Sequence, residues 1–234
     1  DLQDPEIASR IASYELAFRM QSAAPELVDL SQESQTTLDM YGVNRPEPKG
    51  KGGRGAGADV YKRFATNCLL ARRLVERGVR FVTMVHASWD AHSDIDGELD
   101  YCTGMADQPL AALIQDLKQR GLLDSTLLVF AGEFGRTPLA ENRNGQMPAK
   151  VGRDHHPFAF SVWMAGGGVK PGLTYGKTDE LGWAPVENPV HINDFHATIL
   201  RLFGFDHKQL AVNYKGLSMR LTDQGGKVVS DLMA

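Results

Sequence analysis

Apolar residues recur at helical spacing in several parts of this chain. Val60, Phe64 and Cys68 fall on one face of a helix that Asp59 is expected to cap and Gly78 to end. Further helices are predicted from Pro5 to an interruption at Pro25, over 27–40, over about 103–120, and from a cap at Asn193 or Asp194 through Leu202.

Three continuous apolar runs predict buried strands. They cover Val79–Val85, Thr126–Ala131 and Phe158–Ala165. A helix separates the first two, so these strands should be parallel with a right-handed crossover. No helix is signalled before the third, which should therefore run antiparallel to the second. The predicted fold is α/β, with a mostly parallel central sheet, helices on both faces and at least one antiparallel strand, in a single domain over 1–234.

The segment 42–58 interrupts this pattern because it is rich in Gly, Pro, Lys and Arg. Such a composition buries little apolar surface and predicts a flexible loop. A cationic nest for a phosphate is the alternative interpretation. The glycines, however, lack the preceding strand and following helix of a phosphate-binding loop, and Ser or Thr does not follow the lysine as that motif requires.

Composition narrows the class of protein. The chain has 234 residues, 42% of them hydrophobic and 23% charged, and a formal net charge of -4. One substantial core can form, and this mild charge gives no reason to expect a nucleic-acid or membrane partner. The cysteines, Cys68 and Cys102, signal neither a disulfide framework nor a cysteine metal site. The first residues do not resemble a signal peptide, and a start at Asp1 suggests a processed protein or a fragment.

Imidazole and carboxylate groups gather where the predicted strands begin or end. In an open α/β sheet the carboxyl ends of parallel strands share one edge, and an antiparallel neighbour starts at that edge. Side chains of these types bind zinc and manganese, whereas carboxylate-rich sets also suit magnesium and calcium. The predicted ligands of a divalent metal ion are Asp90 and His92 after the first strand, Glu133 after the second, and Asp154, His155 and His156 before the third.

Arg136 is the predicted catalytic residue because a guanidinium binds a phosphate, sulfate or carboxylate oxyanion with two hydrogen bonds. Its structural alternative is a salt bridge to Glu133 or Glu141. The hydroxyls near the predicted edge belong to Ser88, Ser93 and Thr137, and their sequence context does not identify a nucleophile.

Several blocks of the sequence resemble those of the DUF1501 family of bacterial proteins, which is similar to sulfatases and alkaline phosphatases. They are RFVTMVHASWDAHSD, LKQRGLLDSTLLVFAGEFGRTP, GRDHHPF, WMAGGGVKPG with YGKTDELG, and NPVHINDFHATILRLFGFD. The resemblance implies an alkaline-phosphatase-like fold whose metal site includes Asp90, His92, Glu133, Asp154 and His155. Phe134 stands where the superfamily usually has a histidine, so His156 could replace that ligand. Because the blocks resemble the later half of such proteins, the chain is expected to be a carboxyl-terminal portion.

Two functions follow as hypotheses. The first is a metal-dependent hydrolase of small-molecule or polysaccharide phosphate or sulfate esters, incomplete in this chain if the nucleophile lies in an earlier half. The second is a non-catalytic binding or scaffold domain that keeps the fold and one structural metal. The resemblance also implies a periplasmic or secreted protein.

Overall fold

The structure, a computed structural model, describes residues 5–48, 57–141, 149–222 and 225–234. Five α-helices lie in these ranges: α1 (Pro5–Val28), α2 (Gln35–Tyr41), α3 (Val60–Glu76), α4 (Ile95–Gln119) and α5 (Ile192–Leu202). Three short 3₁₀ helices cover Leu30–Gln32, Leu123–Ser125 and Ser230–Leu232.

Helix α3 confirms the helix predicted after Asp59. Its apolar spacing places Tyr61, Phe64, Cys68 and Leu69 in the core. Burial raises the pKa of the Cys68 thiol to about 12, so this side chain behaves as a small apolar group. Asp59 precedes the helix with a left-handed backbone and makes no side-chain capping hydrogen bond.

Several predicted helix boundaries are wrong. Helix α4 begins at Ile95 and not near residue 103, and the helix predicted over 27–40 begins at Gln35. Helix α1 continues through Pro25, which removes one backbone N–H, while the Pro25 carbonyl still accepts from Asp29 N at 3.1 Å. Helix α5 is capped by His191, whose ring accepts from Asn193 N, while the Asp194 carboxylate accepts from His191 N at 3.2 Å. Asn193 and Asp194 therefore lie inside the helix that each was expected to cap.

The sheets contradict the predicted fold class. The chain is α/β, but its described strands form four separate two-stranded antiparallel sheets, and no parallel central sheet is seen among them. This conflicts with the alkaline-phosphatase-like fold. The strands pair as β1 (Leu128–Phe130) with β4 (Trp163–Ala165), β2 (Gly135–Ala140) with β3 (Arg153–His156), β5 (Lys177–Thr178) with β6 (Pro185–Glu187), and β7 (Ala211–Tyr214) with β8 (Leu217–Arg220).

The parallel sheet was predicted from residues 79–85, which are not a strand in the structure. An apolar, β-branched sequence has the propensity for a strand, but a strand forms only where a neighbouring backbone accepts its hydrogen bonds. Phe81 and Val85 remain exposed in this segment, at 72% and 87%. The predicted unit of two parallel strands joined by a helix therefore does not form.

The antiparallel pairing of the second and third runs is confirmed, over shorter bounds than predicted. Leu128 lies opposite Ala165 and Phe130 opposite Trp163. The chain reaches this pairing through the β2–β3 hairpin, which the sequence pattern did not predict.

The chain divides into two compact units. The first comprises the described parts of Asp1–Lys49, Gly57–His86 and Thr103–Leu113, and the second those of Ala87–Cys102 and Ile114–Ala234. A single domain over 1–234 stays a prediction. All predicted site residues belong to the second unit.

The first unit buries an ion-paired cluster. Glu33 Oε2 lies 2.7 Å from Arg72 Nη2, and Glu33 Oε1 lies 2.9 Å from Arg73 Nη1. The three side chains are at most 9% exposed. Charges so far from water are retained only where they are paired, so this cluster fixes α3 against the segment that precedes α2.

The loop predicted over 42–58 is described only in part. Residues 49–56 lie outside the described residues. Among the described helices, none combines the length and the apolar character needed to cross a membrane.

Candidate metal centre

The β2–β3 hairpin fixes two of the predicted site residues beside each other. Arg136 on β2 lies directly opposite His155 on β3, and Gly135 lies opposite His156. Because successive strand residues point to opposite faces, His155 and Arg136 share one face and His156 points to the other. The hairpin therefore separates two histidines that are adjacent in the sequence.

The segment that carries Asp90 and His92 lies against β3. Arg153 N donates to the Ala91 carbonyl at 2.9 Å, and Ile95 N donates to the Val151 carbonyl at 3.0 Å. Gly152 lies between these bonds, and a Cβ atom there would overlap the backbone of His92 and Ser93. Only glycine allows this approach, which places His92 next to His155.

Asp90, His92 and His155 meet in a small triangle of ligand atoms. Asp90 Oδ1 lies 2.9 Å from His92 Nε2 and 3.1 Å from His155 Nε2. The two Nε2 atoms lie 3.1 Å apart. Ligands about 2.0–2.1 Å from a tetrahedral zinc ion would be separated by about 3.4 Å, so a slight opening of this triangle would fit such an ion.

Hydrogen bonding indicates that the triangle needs a positive charge. His92 Nδ1 lies 2.6 Å from Glu141 Oε2, so the ring donates its Nδ1 proton to that carboxylate. In a neutral ring the Nε2 lone pair then faces the Asp90 oxygen, and the two would repel each other. Either a second proton on His92 or a cation among the three atoms removes this repulsion.

Arg136 provides part of the positive charge at this site. Its Nη1 lies 2.6 Å from Asp90 Oδ1 and its Nη2 lies 2.9 Å from Glu133 Oε1. The hydrogen bond from Arg136, together with one from His155, lowers the pKa of Asp90 to about 2. Asp90 is therefore ionised at neutral pH and ready to bind a cation.

A second group of possible ligands overlaps the first. His92, Glu141 and Asp154 each offer a ligand atom, and these atoms lie within 4.8 Å of one another. The side chain of Glu141 is 10% exposed and that of His92 is 20% exposed, whereas Asp154 is exposed. His92 belongs to both groups.

Two carboxylates flank the guanidinium of Arg136: Asp90 Oδ1 lies 2.6 Å from its Nη1 and Glu133 Oε1 lies 2.9 Å from its Nη2. Nearby, Glu98 has its pKa raised by burial and by the charges of Asp94 and Asp90. A site that disfavours one more ionised carboxylate favours a bound cation.

The structure does not bring Glu133 and His156 into either group of described residues. Glu133 is exposed and forms an ion pair with Arg136, which is one of the salt bridges predicted as the structural alternative for Arg136. His156 is buried, and its Nε2 lies 2.6 Å from the Trp183 carbonyl oxygen, to which it donates. Its ring also packs against Trp183, with 4.7 Å between ring centroids. His156 thus holds the loop before β6 on the opposite face of the hairpin.

Two neighbours of the site have structural contacts. The Thr137 hydroxyl donates to the Leu139 carbonyl at 3.0 Å and accepts from Asp154 N at 3.2 Å, so it stabilises the hairpin. Phe134 packs against His155 with 4.5 Å between ring centroids. The aromatic ring covers one side of the histidine and limits its rotation.

Sequence reasoning considered Glu141 only as a partner for Arg136. Nothing in its local sequence marks it, because it follows a strand that the hydrophobic pattern did not predict. A predicted hairpin over 135–156 would have indicated the position of Glu141, because the chain passes residue 141 before it turns back toward His155. Glu141 N donates to the Gly152 carbonyl at 2.9 Å, and this bond places its side chain beside His92.

Comparison with known proteins gives one family. The family described as "Protein of unknown function (DUF1501)" matches residues 1–233, which is essentially the whole chain. The chain therefore belongs to the DUF1501 family. No curated protein and no solved structure matches it.

Proposed function

We propose that this member of the DUF1501 family is a metal-dependent hydrolase of phosphate or sulfate esters, with a divalent ion held by Asp90, His92 and His155. The observation that carries the proposal is the triangle formed by these side chains, in which two Nε2 atoms and one carboxylate oxygen lie 2.9 to 3.1 Å apart. Two imidazoles and one carboxylate leave a coordination position open, as in catalytic zinc sites.

The donor set favours zinc or manganese over magnesium and calcium. Imidazole nitrogen is a good ligand for zinc and other transition metals, whereas magnesium and calcium prefer oxygen. When bound, such an ion would polarise an ester oxygen and lower the pKa of a water molecule. Asp90 remains ionised because of its pKa of about 2, so protons would compete little for this ligand near neutral pH.

Arg136 would bind the oxyanion of the ester. Its side chain is 22% exposed, and its Nη2 donates to Glu133, whose side chain is 57% exposed. An incoming phosphate or sulfate oxygen could replace the Glu133 carboxylate at modest cost, because an exposed ion pair contributes little free energy. Arg136 would keep its bond to Asp90 and so orient the oxyanion next to the ligand triangle.

A non-catalytic binding domain is the second candidate. One observation favours it: the Thr137 hydroxyl is committed to two backbone hydrogen bonds and is poorly placed to act as a nucleophile. In this case the same triangle would hold a structural ion. The two candidates predict the same metal binding but different chemistry.

The expected ligand is a small-molecule or polysaccharide ester, and the expected location is the periplasm or the exterior of the cell. Both proposals are supported by the resemblance of the sequence blocks to sulfatase-like proteins. The net charge of -4 gives no reason to add a nucleic acid or an anionic membrane as a partner.

Metal binding should be measured first, by calorimetric titration of the purified chain with zinc, manganese, magnesium and calcium salts. We expect near-stoichiometric binding of zinc or manganese, and loss of binding in Asp90→Asn and His155→Ala. His196→Ala is the matched control, because His196 is exposed and lies outside both ligand groups. Unchanged binding in both site variants would overturn the proposed centre.

Ester hydrolysis should then be measured on the metal-loaded chain with an aryl phosphate and an aryl sulfate. Turnover that depends on Asp90 and Arg136 would support the hydrolase. Metal binding together with background turnover for both esters would reject the hydrolase in favour of the binding domain.

A further inference from the structure

Glu141 is a buried carboxylate next to the proposed centre, and it contacts the far side of the His92 ring. Its side chain is 10% exposed, and its Oε2 lies 2.6 Å from His92 Nδ1. The opposite ring nitrogen, Nε2, faces Asp90 and His155 at 2.9 and 3.1 Å. Glu141 therefore contacts the triangle through the imidazole of His92.

We infer that Glu141 is a positioning residue that keeps the proton of His92 on Nδ1 and directs the Nε2 lone pair toward the cation. The inference rests on the proposed function, and it adds a role for a residue outside the ligand triangle. A short hydrogen bond to a carboxylate fixes both the tautomer and the rotation of an imidazole, and it makes Nε2 a stronger electron donor.

The backbone holds Glu141 at the required place. Glu141 N donates to the Gly152 carbonyl at 2.9 Å, and Gly152 itself lies against the backbone of His92. The carboxylate and the imidazole are thus attached to neighbouring points of the same framework. Such a second contact is what a ligand histidine needs to keep its orientation before the ion arrives.

This role of Glu141 also decides which of the two overlapping ligand groups would hold the ion. His92, Glu141 and Asp154 are the other possible ligand group, but the proton that Nδ1 donates to Glu141 occupies the ring nitrogen nearest to that carboxylate. His92 then offers only Nε2 to a metal. The ion belongs to the group with Asp90 and His155, and Glu141 supports it from behind.

The first test needs no metal. In the metal-free chain, at a pH where the ring is neutral, long-range proton–nitrogen NMR correlations identify which ring nitrogen carries the proton, and a His92→Gln spectrum assigns the signal. We expect the proton on Nδ1 in the parent chain. In Glu141→Leu, which cannot accept a hydrogen bond, we expect it to move to Nε2. A proton on Nε2 in the parent, or no change in Glu141→Leu, would overturn the inference.

The second test compares metal affinity in two variants that each remove one negative charge. Glu141→Gln should bind zinc about 10- to 100-fold more weakly than the parent, as is typical when a carboxylate that accepts a hydrogen bond from a ligand histidine is lost. Glu98→Gln is the matched control, since Glu98 acts on His92 and Asp90 through charge and not through a hydrogen bond. Equal losses in both variants would show that charge alone is responsible and would refute the positioning role.

Failure of the inference and failure of the proposed function give different results. If the parent binds no metal but shows the Nδ1 proton, the proposed centre fails while the control of the tautomer by Glu141 stands. If the parent binds metal and Glu141→Gln, folded by circular dichroism, binds it equally well, the centre stands and the positioning role fails.

Discussion

The guanidinium of Arg136 lies 2.6 Å from the carboxylate of Asp90, across 46 residues of sequence. Arg136 stands on a strand and Asp90 in the segment before α4, and both face His155. The pair connects the proposed oxyanion-binding residue to the proposed ligand triangle. Its strength can be measured directly from the titration of Asp90.

Replacing Arg136 should raise the pKa of Asp90. The hydrogen bond from Arg136 is the largest cause that holds this pKa at about 2, below the usual 3.8. In Arg136→Met we expect the carboxylate to titrate at a pH closer to 3.8, as followed by carbon-13 NMR of the side-chain carboxyl. Arg201→Met, at an exposed position of α5, is the control and should leave Asp90 unchanged. An unshifted Asp90 in Arg136→Met would mean that the ion pair is weak in solution.

Substitution of Gly152 should disrupt the centre. A Cβ atom at this position overlaps the backbone of His92, so Gly152→Ala forces the two segments apart. We expect a loss of about 1–3 kcal/mol in the free energy of unfolding, together with weaker metal binding. Gly132→Ala is the control, since its Cβ would meet the nearest atom, the Phe134 carbonyl oxygen, at 3.5 Å. Urea unfolding and calorimetry on both variants provide the test, and equal stability would contradict the close approach.

Loss of Glu33 should destabilise the first unit. Glu33→Gln removes the carboxylate that two buried arginines share. Arg72 keeps its ion pair with Glu76, so we expect a loss near the lower end of the about 3–5 kcal/mol that is typical when one partner of a buried pair is removed. The control is Glu6→Gln, which breaks an exposed ion pair with Arg10 and should cost less than about 0.5 kcal/mol. Chemical denaturation measures both. Similar losses in the free energy of unfolding for the two variants would show that Arg72 and Arg73 are better hydrated in solution than their burial in the structure indicates.

Asp179 should make the stability of the chain depend on pH in the acid range. Its carboxylate accepts from the backbone N–H groups of Leu181, Trp183 and Ala184, and these bonds lower its pKa. A lowered folded-state pKa stabilises the fold above the unfolded value near 3.8, and the effect is lost as the pH falls through the folded value.

The comparison for Asp179 is with Asp179→Asn, which has one acceptor oxygen and no charge. The variant should be less stable than the parent at pH 6, and the difference should shrink as the pH falls below 3.8. Thermal unfolding over this range provides the measurement. Glu180→Gln, at the exposed neighbouring position, serves as the control. A difference that stays constant with pH would show that the carboxylate charge does not contribute.

Much of the helical structure could be predicted from the sequence, because helical periodicity is a local property. Val60, Phe64 and Cys68 form one face of the predicted helix, and Phe64 and Cys68 on this face are buried in α3. The strands were harder, since residues 79–85 have the composition of a strand and are not one. Strand formation depends on a partner elsewhere in the chain, which periodicity does not reveal.

The candidate site was predicted partly for the wrong reason. Asp90 and His155 were expected to meet at the edge of a parallel sheet, and that sheet is not seen in the described part of the chain. They meet because the β2–β3 hairpin and the approach at Gly152 place them together. The sequence pattern places His156 beside His155 at the start of the third predicted strand, but strand alternation points it to the other face.

The sequence by itself determined the chemical groups that are available: two imidazoles, several carboxylates and one guanidinium, in blocks that place the chain in its family. It also determined that helices form, though not where each one begins and ends, because helical periodicity depends on residues three or four positions apart. Only the tertiary structure decided that Asp90, His92 and His155 lie together and that Glu141 contacts the ring of His92. Those contacts depend on strand register and on one backbone approach that a glycine permits, and both are set by packing between distant segments of the chain.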